Sequence, residues 1–237
     1  MGLDMSEFSE PSTYKSLNAL FTRTLKTPRE LPQGERAIIS PCDSLITSHG
    51  VIDENLALQI KGMSYSVDEL LGDRVGEASK KSIHNGYFIN FYLSPRDYHR
   101  YHMPLDAEIL KAIHIPGKLY PVNIPSLKNR LNLFIENERV VLECLSVDKK
   151  RFFLILVGAL NVGEMVVSFE ERIESNKTTQ INSYEYENLH LKRGDDFGCF
   201  KMGSTIVMLC EESMASWSVE LDKSVKFGEQ IGVLKDI

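Results

Sequence analysis

The residues best suited to chemistry lie in "SPRDYHRYHMP" at 94–104. His99 and His102 stand there with Arg96 and Asp97 beside them, and Pro95 and Pro104 bracket the stretch. Imidazole titrates near neutral pH, so each ring suits proton transfer or metal ligation. Asp106 is easy to nominate as a third ligand, but no spacing fixes it, and H-x-x-H alone is a weak metal signal. The plainer reading is a pair of rings bonded to backbone in a polar loop. A second reactive element is Gly203-Ser204 in "FKMGSTIVMLC". A glycine and a small hydroxyl before an apolar run make either a tight entry turn or a peptide bond that is itself a reactant. The third is Asp43 in "ISPCDSLITSHG". It reads as a turn aspartate before a strand, or as the carboxylate of an Asp-His-Ser set, whose members geometry alone brings together.

Other features carry less. "GDDFG" holds the triplet Asp196-Phe197-Gly198, but no glycine-rich phosphate loop, strand lysine or H-R-D accompanies it. There is no Walker sequence and no G-x-G-x-x-G. His49, His84, His114 and His190 have no obvious sequence partners and read as structural or surface groups.

These residues need a scaffold. "YFINFYL", "ERVVLECLSV", "RFFLILVGAL", "GEMVVSFEE", "STIVMLC" and "ASWSVELD" are short and rich in β-branched or aromatic residues, as strands are. The prolines of 94–104 disfavour helix, which predicts a shaped loop after "YFINFYL". "YSVDELLGDRV" predicts a short helix. "PSTYKSLNALFTRTL" sets Tyr14, Leu17 and Phe21 at helical spacing, with Leu20 on the same face and Ser12 or Thr13 as cap. The expected fold is mainly β with a few helices (α+β). An antiparallel sandwich or barrel-like core and a short N-terminal amphipathic helix complete it. No biased linker marks a second unit, so 1–237 is read as a single domain.

The chain of 237 residues is long enough for a full core. Its formal net charge of −6 gives no reason to expect nucleic acid, which demands clustered Lys and Arg. Cys42, Cys144, Cys199 and Cys210 form no C-x-x-C pair and read as reduced, buried hydrophobes. No secretory signal is expected at the start. "MGLDMS" fits the loose N-myristoylation pattern. No segment approaches the ~20 apolar residues of a membrane span.

Taken in order, "SPCDS", "YLSPRDYHRYHMP", "GKLYPVN", "LVGALNVGEM" and "FKMGSTIVML" make the chain resemble the phosphatidylserine decarboxylase family, from about "FTRTL" onward. The resemblance implies an inactive proenzyme that cuts itself between Gly203 and Ser204. It implies a β chain of 1–203 and an α chain of 204–237 that remain together, the α chain beginning with a covalent pyruvoyl cofactor made from Ser204. Asp43, His102 and Ser204 would form the self-cleavage triad, and His99 would serve decarboxylation. No metal is implied. Phosphatidylserine would be the substrate, met at the cytoplasmic face of the cell membrane by a peripheral protein that does not cross it. A homo-oligomer is among the partners the resemblance admits. Two departures stand out: Met202 replaces the usual Leu, a volume-conserving change, and Ser44 replaces the Gly of the common "SPADG".

The chemistry agrees with the residues. Ser204 Oγ can reach the Gly203 carbonyl through a five-membered ring, and a serine hydroxyl needs a base to take its proton. His102 is the candidate base, with Asp43 fixing its tautomer. Gly203 permits the close approach that attack requires. Loss of CO2 from an amino acid needs an electron sink, which a pyruvoyl carbonyl supplies, and His99 is the expected proton donor to Cα. The competing readings are a non-processing lipid-binding relative, a metal-dependent hydrolase on His99 and His102, and a pyruvoyl decarboxylase of a soluble amino acid.

Overall fold

The computed structural model describes residues 4–60, 63–160, 164–201 and 204–236, with 58–60 and 204 described by backbone alone. A 3-10 turn at Pro11–Thr13 leads to α1 (Leu17–Phe21). Then come β1 (Ala37–Ile39), β2 (Ser44–Val51), β3 (Leu56–Ile60), β4 (Met63–Ser66), α2 (Val67–Leu71) and α3 (Glu77–Ser82). β5 (Tyr87–Leu93), β6 (Arg100–His102) and β7 (Ala107–Ile115) precede α4 (Ile124–Asn129) and α5 (Leu133–Glu136). The rest is strand: β8 (Arg139–Ser146), β9 (Arg151–Val157), β10 (Met165–Val167), β11 (Asn182–Leu191) and β12 (Asp196–Phe200). β13 (Ser204–Cys210), β14 (Ala215–Trp217), β15 (Ser224–Val225) and β16 (Gln230–Leu234) complete it.

An 8-stranded antiparallel sheet in the order β11-β7-β8-β9-β13-β5-β2-β15 is the backbone of the fold. β13 lies inside it, and its apolar run is buried on both faces. Ile206 and Met208 join a cluster with Phe91, Leu154, Tyr101 and Phe200. Val207 and Leu209 join the opposite cluster, which takes in Leu70 and Leu71 of α2 and Phe134 of α5. Period-two alternation across two cores is why the strand reads as continuously hydrophobic. The smaller sheets β1-β16-β14 and β10-β12-β6 contribute Ile38, Ile231, Met165 and Phe200 to the first cluster. α2, α4 and α5, with the two-stranded sheet β3-β4, therefore cover one face of the large sheet, and these two three-stranded sheets cover the other.

The mainly-β α+β expectation holds, and among the described residues no sheet closes into a barrel. "YFINFYL" and "STIVMLC" are β5 and β13 to the residue. The N-terminal helix is shorter than its apolar spacing suggests. Ser16, rather than Ser12 or Thr13, caps it by accepting from Ala19 N at 3.0 Å. All of the cysteines are buried and free. Among the described residues no helix is long and apolar enough to cross a membrane.

Candidate active site

One rung of the large sheet aligns Ser224, Leu45, Tyr92, Thr205, Val157 and Arg139. Antiparallel order then puts the starts of β2 and β13 and the ends of β5 and β9 at the same sheet edge. Asp43 stands just before β2, and Ser204 opens β13 opposite Leu93, the last residue of β5. The histidine loop leaves from Leu93. Its first turn is closed by Asp97, whose carboxylate accepts from Ser94 N at 2.6 Å. The loop is then drawn back to the core: Phe200 N donates to the His99 carbonyl at 2.9 Å, and His102 N donates to the Pro41 carbonyl at 2.8 Å. The "SPCDS" turn and β6 are thus tied directly together. Ser44 pairs with Val225 as the first residue of β2, so this turn forms without the family's glycine.

His99 is fully buried. Its Nδ1 lies 2.8 Å from the Asp97 carbonyl. A carbonyl only accepts, so Nδ1 carries the proton and Nε2 holds a lone pair. Nε2 is buried and has no hydrogen-bond partner among the described residues. Burial pushes the ring's pKa down to about 3, the Asp97 carbonyl opposes this, and the nearby Arg23 cation adds to it. Phe21 of α1 packs over the ring, with centroids 3.9 Å apart. The face expected to meet a membrane is therefore split: Phe21 turns inward to His99, while Leu17 is 56% exposed.

His102 is held by different partners. Its Nδ1 donates to the Gly194 carbonyl at 2.9 Å, and its Nε2 accepts from the Tyr98 hydroxyl at 3.1 Å. The ring stacks on Phe227 at 3.5 Å. Burial lowers its pKa, against the Gly194 bond and the Asp196 charge. A cavity of about 380 Å³ opens beside it, lined among others by Arg29, Tyr98, Arg193 and Asp196.

Asp43 lies close by but is otherwise engaged. Its carboxylate takes both arms of the Arg29 guanidinium, at 2.5 and 3.0 Å, and accepts from Phe227 N at 2.7 Å. Arg29 also holds Glu7 at 2.8 and 3.0 Å. Burial works against the Arg29 charge, but the bonds to Asp43 and Glu7 outweigh it and its pKa rises. Asp43 and His102 thus meet through Phe227, its backbone on one and its ring on the other. The expected direct Asp43–His102 hydrogen bond is not among the described ones. The Gly194 carbonyl fixes the tautomer instead, because a nearby guanidinium competes for the carboxylate with two charge-assisted bonds.

The structure brings Asp43, His99 and His102 to one end of the sheet with the backbone of Ser204. Gly203 and Met202 lie outside the described residues. Arg23, Arg29, Tyr98, Gly194 and Phe227 were not singled out from sequence. Among the described residues no group of His, Cys, Asp and Glu is arranged to hold a metal ion. Asp106 accepts from Arg193 N at 2.7 Å. Histidines read as partnerless have partners: His49 meets the Tyr87 hydroxyl at 2.8 Å, His84 meets Asp68 at 3.0 Å and His114 meets Glu138 at 2.7 Å.

Comparison with known proteins identifies the family. A family model described as phosphatidylserine decarboxylase matches residues 17–233. A phosphatidylserine decarboxylase proenzyme of Helicobacter pylori (strain Shi470) is 47% identical over 232 residues, covering 97% of this chain and 84% of its own. One of Campylobacter jejuni is 43% identical over 235 residues, covering 97% and 86%. One of Coxiella burnetii (strain RSA 331) is 37% identical over 240 residues, covering 98% and 84%. The chain belongs to the phosphatidylserine decarboxylase family.

Proposed function

We propose that this chain decarboxylates phosphatidylserine to phosphatidylethanolamine and CO2, using a pyruvoyl group that it makes from its own Ser204. The observation that carries the reading is the location of Ser204 at the entry of an interior strand, at the sheet end that also holds the His99 loop. The surroundings fit such a group. His99 Nε2, in the loop after Leu93, and Thr205 Oγ1, next to Ser204 in the chain, are both buried with no partner among the described residues.

Self-cleavage begins with Ser204 Oγ attacking the Gly203 carbonyl, as His102 Nε2 takes the hydroxyl proton. The Tyr98 hydroxyl must leave that nitrogen first. The amide becomes an ester. Elimination across Cα–Cβ releases 1–203 with a free carboxylate, and hydrolysis of the resulting dehydroalanine gives ammonia and the pyruvoyl group. Arg29 holds the Asp43 carboxylate in place beneath Phe227, and the Asp196 charge favours the imidazolium that forms on His102.

The pyruvoyl carbonyl supplies an electron sink for the pair left at Cα when CO2 departs. This chain's part is to exclude water and move protons. His99 is neutral with Nε2 bare, so it enters the cycle as a base and can protonate Cα only after acquiring a proton there. The substrate's ammonium, which must lose a proton before its nitrogen can react, is the natural source. We place the enzyme peripherally on the cytoplasmic membrane face, where its substrate resides, with exposed Leu17 as a contact.

The test is release of labelled CO2 from carboxyl-labelled phosphatidylserine by the purified protein, with free serine as comparison. Turnover of the lipid alone supports the reading. Turnover of serine alone favours a soluble amino acid decarboxylase, and an uncut inactive chain that binds vesicles favours a lipid-binding relative.

A further inference from the structure

Arg23 follows α1 and is only 4% exposed. Its Nη2 donates to the carbonyls of Arg96 at 3.0 Å and Asp97 at 3.2 Å, and its Nη1 donates to that of Leu20 at 3.3 Å. The Asp97 carbonyl therefore accepts twice, from Arg23 and from His99 Nδ1. These bonds, and Phe21 over the imidazole, staple the N-terminal segment to the histidine loop. Burying a guanidinium costs several kcal/mol unless its bonds are well made. Packing alone would be met by an apolar side chain. What the cation adds is a fixed position for the carbonyl that sets the His99 tautomer.

We propose that Arg23 is a positioning residue for His99, gripping the Asp97 carbonyl so that Nδ1 keeps its proton and Nε2 stays bare. Arg23 comes to His99 from the segment after α1, and Asp97 from the ring's own loop, its carboxylate turned to Ser94 N. Asp43 lies near enough to act on both of these charges. The Arg23 cation also opposes protonation of the ring, the same direction in which burial acts. The role rests on the decarboxylase reading for its effect on turnover, and not for its effect on the imidazole.

The experiment uses the processed protein with ¹⁵N-labelled histidine. Long-range proton–nitrogen spectra report which His99 nitrogen is protonated, and kcat and KM for phosphatidylserine are measured on the same samples. Arg23→Gln should change the His99 signals from one Nδ1-protonated tautomer to a mixture and lower kcat about 10²-fold, with KM unchanged. Arg23→Lys, with a point charge in place of the fork, should recover part of both. An unaltered His99 tautomer in Arg23→Gln would overturn the proposal, as would an altered tautomer with unchanged kcat. Loss of processing and of cooperative melting in both variants would make Arg23 a support of the fold and also overturn it. A tautomer change in a protein whose wild type releases no CO2 would uphold the positioning role and reject the decarboxylase reading.

Discussion

At the residue scale, two histidines in one loop are given opposite settings. His102 has both nitrogens bonded and borders a cavity. Among the described residues His99 has one bonded nitrogen, and Phe21 packs over its ring. Their variants should therefore separate. Ser204→Ala and His102→Ala should remain uncut, and Asp43→Asn should cut slowly, since it loses the charge that Arg29 and Phe227 hold. A gel time course reads this directly, and normal processing of His102→Ala would remove that base from the mechanism. His99→Ala should still cut, yet release CO2 about 10²–10⁴-fold more slowly, the usual contribution of a positioned acid or base. The same burial makes His99 an acid-labile point. Its folded pKa of about 3 lies below the ordinary 6.5, so its contribution to stability is complete above pH 6.5 and is lost as pH falls toward 3. In an uncut Ser204→Ala background, the added change His99→Phe should flatten the loss of unfolding free energy between those pH values. An unchanged slope would mean that His99 is not buried neutral. Asp43, His99, His102 and Ser204 stand out in the sequence as reactive types, and the resemblance to the family supplies their expected roles. Arg29, Arg23 and Gly194 do not stand out, because a guanidinium on a carbonyl, or a carbonyl on a ring, leaves no spacing in the chain.

At the element scale, strands buried on both faces announce themselves. β5 and β13 are runs of β-branched and aromatic residues, and their bounds follow from composition. β11 escapes the sequence reading because it is an edge strand in which half-buried Tyr184, Tyr186, Leu189 and Leu191 are interspersed with polar residues, so no continuous apolar run forms. α3, α4 and α5 were missed because helices of four to six residues are too short to show a period. α1 shows a period, but Ser16 starts it late, and tertiary packing assigns its faces. Phe21 belongs to His99 and Leu17 to solvent, so one substitution on each tests different things. Leu17→Glu should weaken flotation with anionic vesicles and leave turnover of detergent-dispersed substrate intact. Phe21→Glu should lower turnover in detergent as well. Equal flotation of Leu17→Glu and wild type would move the membrane contact elsewhere.

At the scale of the whole molecule, the cut proposed at Gly203-Ser204 falls beside an interior strand of the large sheet. β13 is paired along its length with β5, and from Thr205 onward with β9, while β15 pairs with β2 and β16 with β1. Residues 204–237 are thus woven into 1–203 and should not leave when the connecting bond breaks. Retention also keeps the new terminus at the sheet end that holds His99. The most direct measurement is therefore the mass of the purified protein, native and then denatured. The account predicts one complex under native conditions that resolves on denaturation into 1–203 and 204–237. The smaller fragment should be lighter than its serine-started form by one ammonia and resistant to N-terminal sequencing. A single full-length mass after long incubation, with Ser204 intact, would contradict it.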